Sequence, residues 1–223
     1  MSINSNKTAI ILATALITTK KPEGAYRVDQ YINGFKQINE LVSNNSDKYD
    51  VFFVDCTIKR EDVDNSIIKE IEGIRNLKEI IFTDNNFFGS FNKGSGVITQ
   101  WKEILKKISE EYEYVIHFEP RMKIRDFSFF DRFDLNKDSY FNVTETLVKG
   151  KNFRQFFTGI FSIKRKDLVD YVNEANIIFL TLTKKNLEKD MFEFFIKNKI
   201  HFIEVEKLGV DWFYLGNEKY LEL

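Results

Sequence analysis

The chain has 223 residues, 43% of them apolar and 30% charged, with a formal net charge of −1, values that suit one α/β domain able to bury a substantial core. So small a net charge supplies no overall field for nucleic acid or an anionic surface, and attraction of an anionic ligand has to be local. The one cysteine, Cys56, excludes an internal disulfide and a cysteine-built zinc site.

In chain order, "MSINSNKTAIILATALITTKK" holds an apolar stretch from Ala9 to Ile17. It has no basic leader and is too short to span about 30 Å of hydrocarbon, so it predicts a first strand. The runs "TAIILATAL" (8–16), "YDVFFVD" (49–55), "LKEIIFTD" (77–84) and "YEYVIHFE" (112–119) read as strands. Between them, residues 27–43, 60–73 and 97–110 carry helical spacing. Tyr31, Phe35, Ile38 and Leu41 share one face, and Ile98, Trp101, Ile104, Leu105 and Ile108 another. This β, α alternation predicts a mostly parallel sheet covered by helices.

From about residue 125 the periodicity loosens, and irregular chain with short strands around 139–148 is expected. A strand over 155–165, helices over 165–179 and 183–199, and a strand over 200–206 follow. The aromatic tail "DWFYLGNEKYLEL" reads as sealing the core, with a lid or a dimer interface as the alternatives. The 23 phenylalanines are first read as core filling. No repeat or linker interrupts residues 1–223.

Three stretches hold candidate chemistry. In "NNFFGSFNKGSGVITQW", Gly89, Gly94 and Gly96 punctuate a predicted loop before a helix beginning near Val97, where backbone N–H groups and Lys93 can face an anion. The spacing matches neither a P-loop nor a dinucleotide fingerprint, so a plain connector explains it equally well. In "YVIHFEPRM", alternation puts His117 and Glu119 on one face at the C-terminal end of a strand, where open α/β sheets bind ligands. The two can share a divalent cation, with Arg121 toward a phosphate. The plainer alternative is a Glu119–Arg121 salt bridge with His117 packed at a strand end. In "FFTGIF" and "NLEKDMFEFF", Thr158 and Gly159 suit a close backbone approach, and Glu188 or Asp190 can serve as a general base. The alternative for both carboxylates is complementing a helix dipole.

Taken in order, "LATALITT", "FNKGSGVITQW", "HFE", "FFTGIF" and "LEKDMFEFF" resemble the GT-A glycosyltransferases, of the bacterial or viral polysaccharide and glycoconjugate type. The similarity spans most of residues 8–206. It implies a GT-A-like, Rossmann-like sheet with a small extra β element in the second half. Residues 1–124 would form the nucleotide-binding half and 125–223 the acceptor side. By that resemblance Thr14 and Arg27 lie near the nucleotide, while Asp84, Lys93 and Gly94 flank ribose and phosphates. His117 and Glu119, standing where the family has Asp-x-Asp, hold a metal or the diphosphate. Arg121 meets the diphosphate, Thr158 and Gly159 border donor or acceptor, and Glu188, with Asp190 behind it, is the base of an inverting reaction. An imidazole with a carboxylate favours Mn²⁺ over Mg²⁺. Without a metal, Arg121, Lys93 or Arg27 has to neutralise the leaving group.

The function this implies is transfer of a sugar from a nucleoside diphosphate, UDP favoured, to a glycan or lipid-linked glycan hydroxyl. The expected location is the cytoplasm, free or peripheral to the inner face of a membrane. The alternatives are a non-catalytic nucleotide-sugar-binding module, since Asp-x-Asp is replaced, and a nucleotidyltransferase, disfavoured because "ATALITTKKPEG" lacks a Gly- and Arg-rich signature.

Overall fold

The structure, a computed structural model, describes residues 7–16, 24–148, 151–214 and 219–223. The elements are β1 (Thr8–Thr14), α1 (Gly24–Asn44), β2 (Tyr49–Asp55), a 3₁₀ turn (Arg60–Asp62), α2 (Asn65–Glu72), β3 (Leu77–Phe82), α3 (Phe87–Phe91), α4 (Lys93–Leu105) and β4 (Tyr114–Phe118). They continue with β5 (Lys123–Ile124), α5 (Ser128–Leu135), β6 (Tyr140–Phe141), β7 (Val143–Val148), β8 (Lys151–Phe156) and β9 (Ile160–Lys164). The last are α6 (Arg165–Glu174), α7 (Ile177–Thr183), α8 (Leu187–Asn198), β10 (Ile203–Glu204), β11 (Val210–Tyr214) and β12 (Lys219–Glu222).

The central sheet runs β3-β2-β1-β4-β9. Its first four strands are parallel, and β9 joins antiparallel to β4. β1 and β2 are apolar at nearly every position because both faces are covered, and their residues are buried throughout. Alternation then sorts the side chains. Ile10 and Leu12 pack with Tyr31, Phe35 and Ile38 of α1, while Ile11 and Ala13 pack with Trp101 and Ile104 of α4. Smaller pairings surround the sheet: a β7–β8 hairpin, a β6–β10 pair and the β5–β11–β12 ribbon.

The sequence expectations differ from the fold mainly where a side chain ends a helix. α4 begins at Lys93, four residues before Val97, because the Asn92 side chain accepts from Ser95 N at 3.1 Å. The helix expected over 165–179 is two, divided where Asn176 accepts from Phe179 N at 2.9 Å. The one expected from 183 starts at Leu187, capped by Asn186. The strand expected over 155–165 is also two, and the chain changes sheet at Phe157–Gly159. Where irregular chain was expected, α5 buries Phe129, Phe130 and Phe133.

The turn after β4 is clamped to α1. Gln37 reads the backbone of Ile124 in both directions, donating to its carbonyl at 2.6 Å and accepting from its N–H at 3.1 Å. Three residues earlier, Gly34 packs so closely that a Cβ there would lie 1.8 Å from the carbonyl oxygen of Pro120. Gly34→Ala gains about 1 kcal/mol of helix propensity, but it must force the α1 backbone away from the Pro120 backbone. The expected result is a net loss of about 3 kcal/mol or more, read by chemical denaturation.

Candidate active site

The C-terminal edge of the parallel strands gathers the turn after β4, the β8–β9 junction and the starts of α4 and α8. Gly159 O accepts from Glu119 N at 2.8 Å, which extends the β4–β9 ladder one step past β4 and fixes the strand exit. Beyond it, both oxygens of Glu119 accept from Arg121, from Nε at 2.5 Å and Nη2 at 3.2 Å. The Arg121 side chain is only 16% exposed. Its guanidinium lies 5.7 Å from the centre of the Trp212 ring, which itself packs at 5.0 Å on Phe157. Burial works against the charge on Arg121, and the Glu119 carboxylate more than offsets it, so its pKa rises.

Glu188, in the first turn of α8, accepts from the Thr158 hydroxyl at 3.4 Å. Burial pushes its carboxyl above the ordinary range. Its own backbone N–H and Thr158 oppose the rise, Glu119 adds to it and Lys93 counters it. Glu119, Arg121, Thr158, Glu188 and Lys93 therefore form one electrostatic group drawn from four segments of the chain.

Asp190, Asp84 and Thr14 lie elsewhere, while Gly94 and Gly159 border the group through their backbone. Asp190 is turned away from Glu188 and is held by Tyr171 Oη at 3.0 Å and Lys185 Nζ at 2.8 Å. It lines a cavity of about 320 Å³ between α6, α7 and α8. Asp84 is 68% exposed beside Lys59. Thr14 is buried and donates to Asp55 Oδ2 at 2.7 Å. Gly94 lies in the first turn of α4 with Leu187 against it, where a Cβ would come within 2.7 Å. Gly159 has the Phe157 ring and Met122 sulfur in the place of a Cβ. Both glycines let neighbours pack closely. Gly89 and Gly96 do the same between α3 and α4, so the expected glycine loop is two helices in contact. Arg27 lies in the first turn of α1, and its side chain is outside the described residues. So are those of Phe213 and Tyr214 in the tail.

His117 and Glu119 do not form a metal site. His117 is 3% exposed, stacks on Phe161 at 5.0 Å and accepts at Nδ1 from Trp101 Nε1 at 3.1 Å. The neutral ring then carries its proton on Nε2, leaving no lone pair for a metal, and the Glu119 oxygens face Arg121. Among the described residues no group of three His, Cys, Asp or Glu converges on a common point.

Burial pushes the His117 pKa down to about 4. The unfolded chain binds this proton near pH 6.5 and the folded one does not, so stability falls as pH drops from 6.5 toward 4. The contribution is about 3 kcal/mol. Denaturation of His117→Gln over that range is expected to show a correspondingly shallower pH dependence.

Sequence reasoning passed over Asp55. Buried at the end of β2, it accepts from Thr14 Oγ1, Leu16 N, Thr57 N and Thr57 Oγ1 at 2.5–2.8 Å, tying the β1 exit to the β2 exit. The available signal was its place at the close of "YDVFFVD". Trp212 was read only as part of an aromatic tail.

No protein-family model matches the sequence, and no curated protein matches it either. The fold is nevertheless the GT-A type of glycosyltransferases, a mostly parallel sheet flanked by helices. The galactosyltransferase LgtC, solved with donor and acceptor sugar analogs, is 14% identical with a TM-score of 0.51 over 84% of this chain and 70% of its own. Mouse xyloside xylosyltransferase 1, in apo form, is 10% identical with a TM-score of 0.50 over 89% and 84%. A cytidylyltransferase from Leptospira borgpetersenii serovar Hardjo-bovis (strain JB197) is 14% identical with a TM-score of 0.44 over 90% and 75%. At these identities the likeness is one of fold.

Proposed function

We propose that this chain is a glycosyltransferase that moves a sugar from a nucleoside-diphosphate donor to a hydroxyl of a glycan or lipid-linked glycan. Residues 1–124 serve the nucleotide and 125–223 the acceptor. The observation that carries the reading is the Glu188 carboxylate, raised in pKa and grouped with Thr158, Lys93 and the Glu119–Arg121 pair at the ligand-binding edge of a GT-A-type sheet.

In this scheme Arg121 and Lys93 receive the charge that develops on the diphosphate as the anomeric C–O bond breaks. A guanidinium has five N–H donors and Glu119 engages two of them, so the same group can hold a phosphate oxygen while Glu119 and Trp212 fix its plane. Glu188 meets the acceptor hydroxyl. If the product anomer is inverted, Glu188 takes the proton as the acceptor oxygen bonds to the anomeric carbon. If it is retained, Glu188 orients the hydroxyl by accepting its hydrogen bond, and the proton passes to the departing diphosphate oxygen as the new C–O bond forms. Because His117 and Glu119 do not fit a metal, no step is assigned to Mn²⁺.

The test is incubation with UDP-, GDP- and dTDP-sugars, with and without Mn²⁺, assayed for free nucleoside diphosphate. UDP-sugars are the first to try, with surface-polysaccharide fragments as acceptors. Release of diphosphate without a metal requirement is expected. A second reading, a nucleotide-sugar-binding module, is favoured by the mutual satisfaction of Glu119 and Arg121. Thermal stabilisation by a donor with no turnover on any acceptor would select it. Release of pyrophosphate from a nucleoside triphosphate would select nucleotidyl transfer, and no binding of any nucleotide would remove all three.

A further inference from the structure

Eight large apolar side chains are strongly exposed among the described residues, and five of them lie on two short helices: Phe87 and Phe91 on α3, and Ile178, Phe179 and Leu182 on α7. The clustering sets them apart from the scattered apolar exposure that any surface shows. α3 packs against α7, and side-chain bonds lock the arrangement. Asn92, between α3 and α4, donates to the carbonyls of Leu180 and Lys185, both at 3.0 Å, and Ser95 Oγ lies 2.9 Å from Thr181 Oγ1. Phe87 and Phe91 meet edge to face at 5.5 Å, with Phe87 still 69% and Phe91 67% exposed. Burial in the core therefore does not account for them.

Neither helix contains a charged residue. Each runs directly into basic chain, α3 into Lys93 and α7 into Lys184 and Lys185. Lys185 is neutralised by Asp190 and Glu193 at 2.8 and 2.7 Å. Lys184 is exposed at the margin of the apolar face, while Lys93 belongs to the electrostatic group of the candidate site. The nearest acid before α3, Asp84, is paired with Lys59 at 3.4 Å. The carboxylates nearest Phe179 are paired, Asp190 and Glu193 with Lys185 and Glu174 with Lys197, so the apolar face of aromatic and branched side chains has Lys184 at its margin.

We infer that this face docks on an anionic lipid surface, with Phe87, Phe91, Ile178 and Leu182 entering the interfacial layer and Lys184 meeting acidic headgroups. Rings and branched aliphatic chains beside a lysine have the composition of interfacial anchors. A second copy of the chain is the poorer occupant, because a two-fold contact through this face would bring the lysine margins of both copies together. No described helix is long and apolar enough to cross a bilayer, so the contact is peripheral. The docking inference stands on the surface alone and does not require the transfer reaction.

The test is co-sedimentation of the full chain, without donor, with vesicles of phosphatidylcholine alone and of phosphatidylcholine mixed with phosphatidylglycerol. Binding to the anionic vesicles is expected to be about fivefold the stronger and to weaken in high salt. Phe87→Ser with Phe91→Ser, and separately Leu182→Ser, should each weaken it by about tenfold while the thermal unfolding midpoint is kept. Lys184→Glu should weaken binding to anionic vesicles only. Failure to bind any vesicle, equal binding to both compositions, or binding unaffected by the phenylalanine substitutions would overturn the inference. A dimer seen by light scattering and dissolved by the same substitutions would also overturn it and give the face to a second copy. Diphosphate release in solution by a chain that ignores vesicles would leave the proposed function standing while removing the docking.

Discussion

A Glu188→Gln chain is expected to fold and bind donor like its parent while its turnover falls by about two to four orders of magnitude. Glutamine keeps the shape and an oxygen able to accept from Thr158, so the α8 start and the Thr158 contact persist. It cannot take a proton, and it accepts a hydrogen bond more weakly than a carboxylate does. Burial has raised the pKa of Glu188 above its ordinary 4.5, so the neutral form suits the fold better than the ionised one. Stability associated with this group is full below the unfolded pKa and is lost as pH rises through the folded one. At neutral pH the glutamine variant should therefore be at least as stable as its parent, which separates a catalytic loss from a folding loss. The same shift sets the pH profile. With the ionised form active, kcat/KM should fall on acidification with a midpoint above 4.5, and that limb should vanish in the variant. A variant that turns over at the parental rate would remove Glu188 from the mechanism.

The second large effect is at Arg121. Arg121→Met should weaken donor binding by about one to three orders of magnitude. It also leaves the Glu119 carboxylate, 29% exposed, without its bidentate partner, at an expected cost of about 3 kcal/mol in stability. The two losses can be separated. Adding Glu119→Gln removes that carboxylate charge and should restore most of the stability without restoring donor affinity. Arg121→Lys keeps the charge but loses the planar fork, so it should recover only a fraction of the binding. Isothermal titration with a nucleoside diphosphate and urea denaturation measure the two quantities independently. Mn²⁺ should not rescue Arg121→Met, because the His117 nitrogen that could ligate already accepts from Trp101. Rescue would show that a metal had been the intended counter-charge.

The sheet was legible in the sequence because apolar runs such as "YDVFFVD" are long, β-branched and bounded by polar chain, and strands covered on both faces need only that. The helix starts were not. Asn92, Asn176 and Asn186 each cap the helix that follows, but a lone asparagine reads equally as a turn. The change of sheet at Phe157–Gly159 was invisible because alternation continues on either side of it. In the site, the order of motifs assigned Thr158 and Glu188 to one candidate site with separate roles, and the hydrogen bond that joins them across thirty residues was not read from it. Spacing misled at Asp190, which stands about 200° around the helix from Glu188 and cannot share its role. At His117 it was the resemblance that misled: the plainer reading of the spacing, a Glu119–Arg121 salt bridge with His117 packed at a strand end, is the arrangement found, with Trp101 behind the histidine. The Trp212 contact with Arg121 joins residues far apart in sequence, and no local pattern records it.

The chain has only two tryptophans, and the fold gives them different surroundings. Trp101 is fully buried behind the sheet, bonded to His117. Trp212 is half-buried over the Arg121 guanidinium. Intrinsic fluorescence thus carries two native reporters. Emission from Trp101 follows integrity of the core and protonation of its histidine, and emission from Trp212 follows whatever arrives at the charged end of the site. Replacing either indole by phenylalanine isolates the other, so ligand arrival and unfolding can be timed separately without an added label.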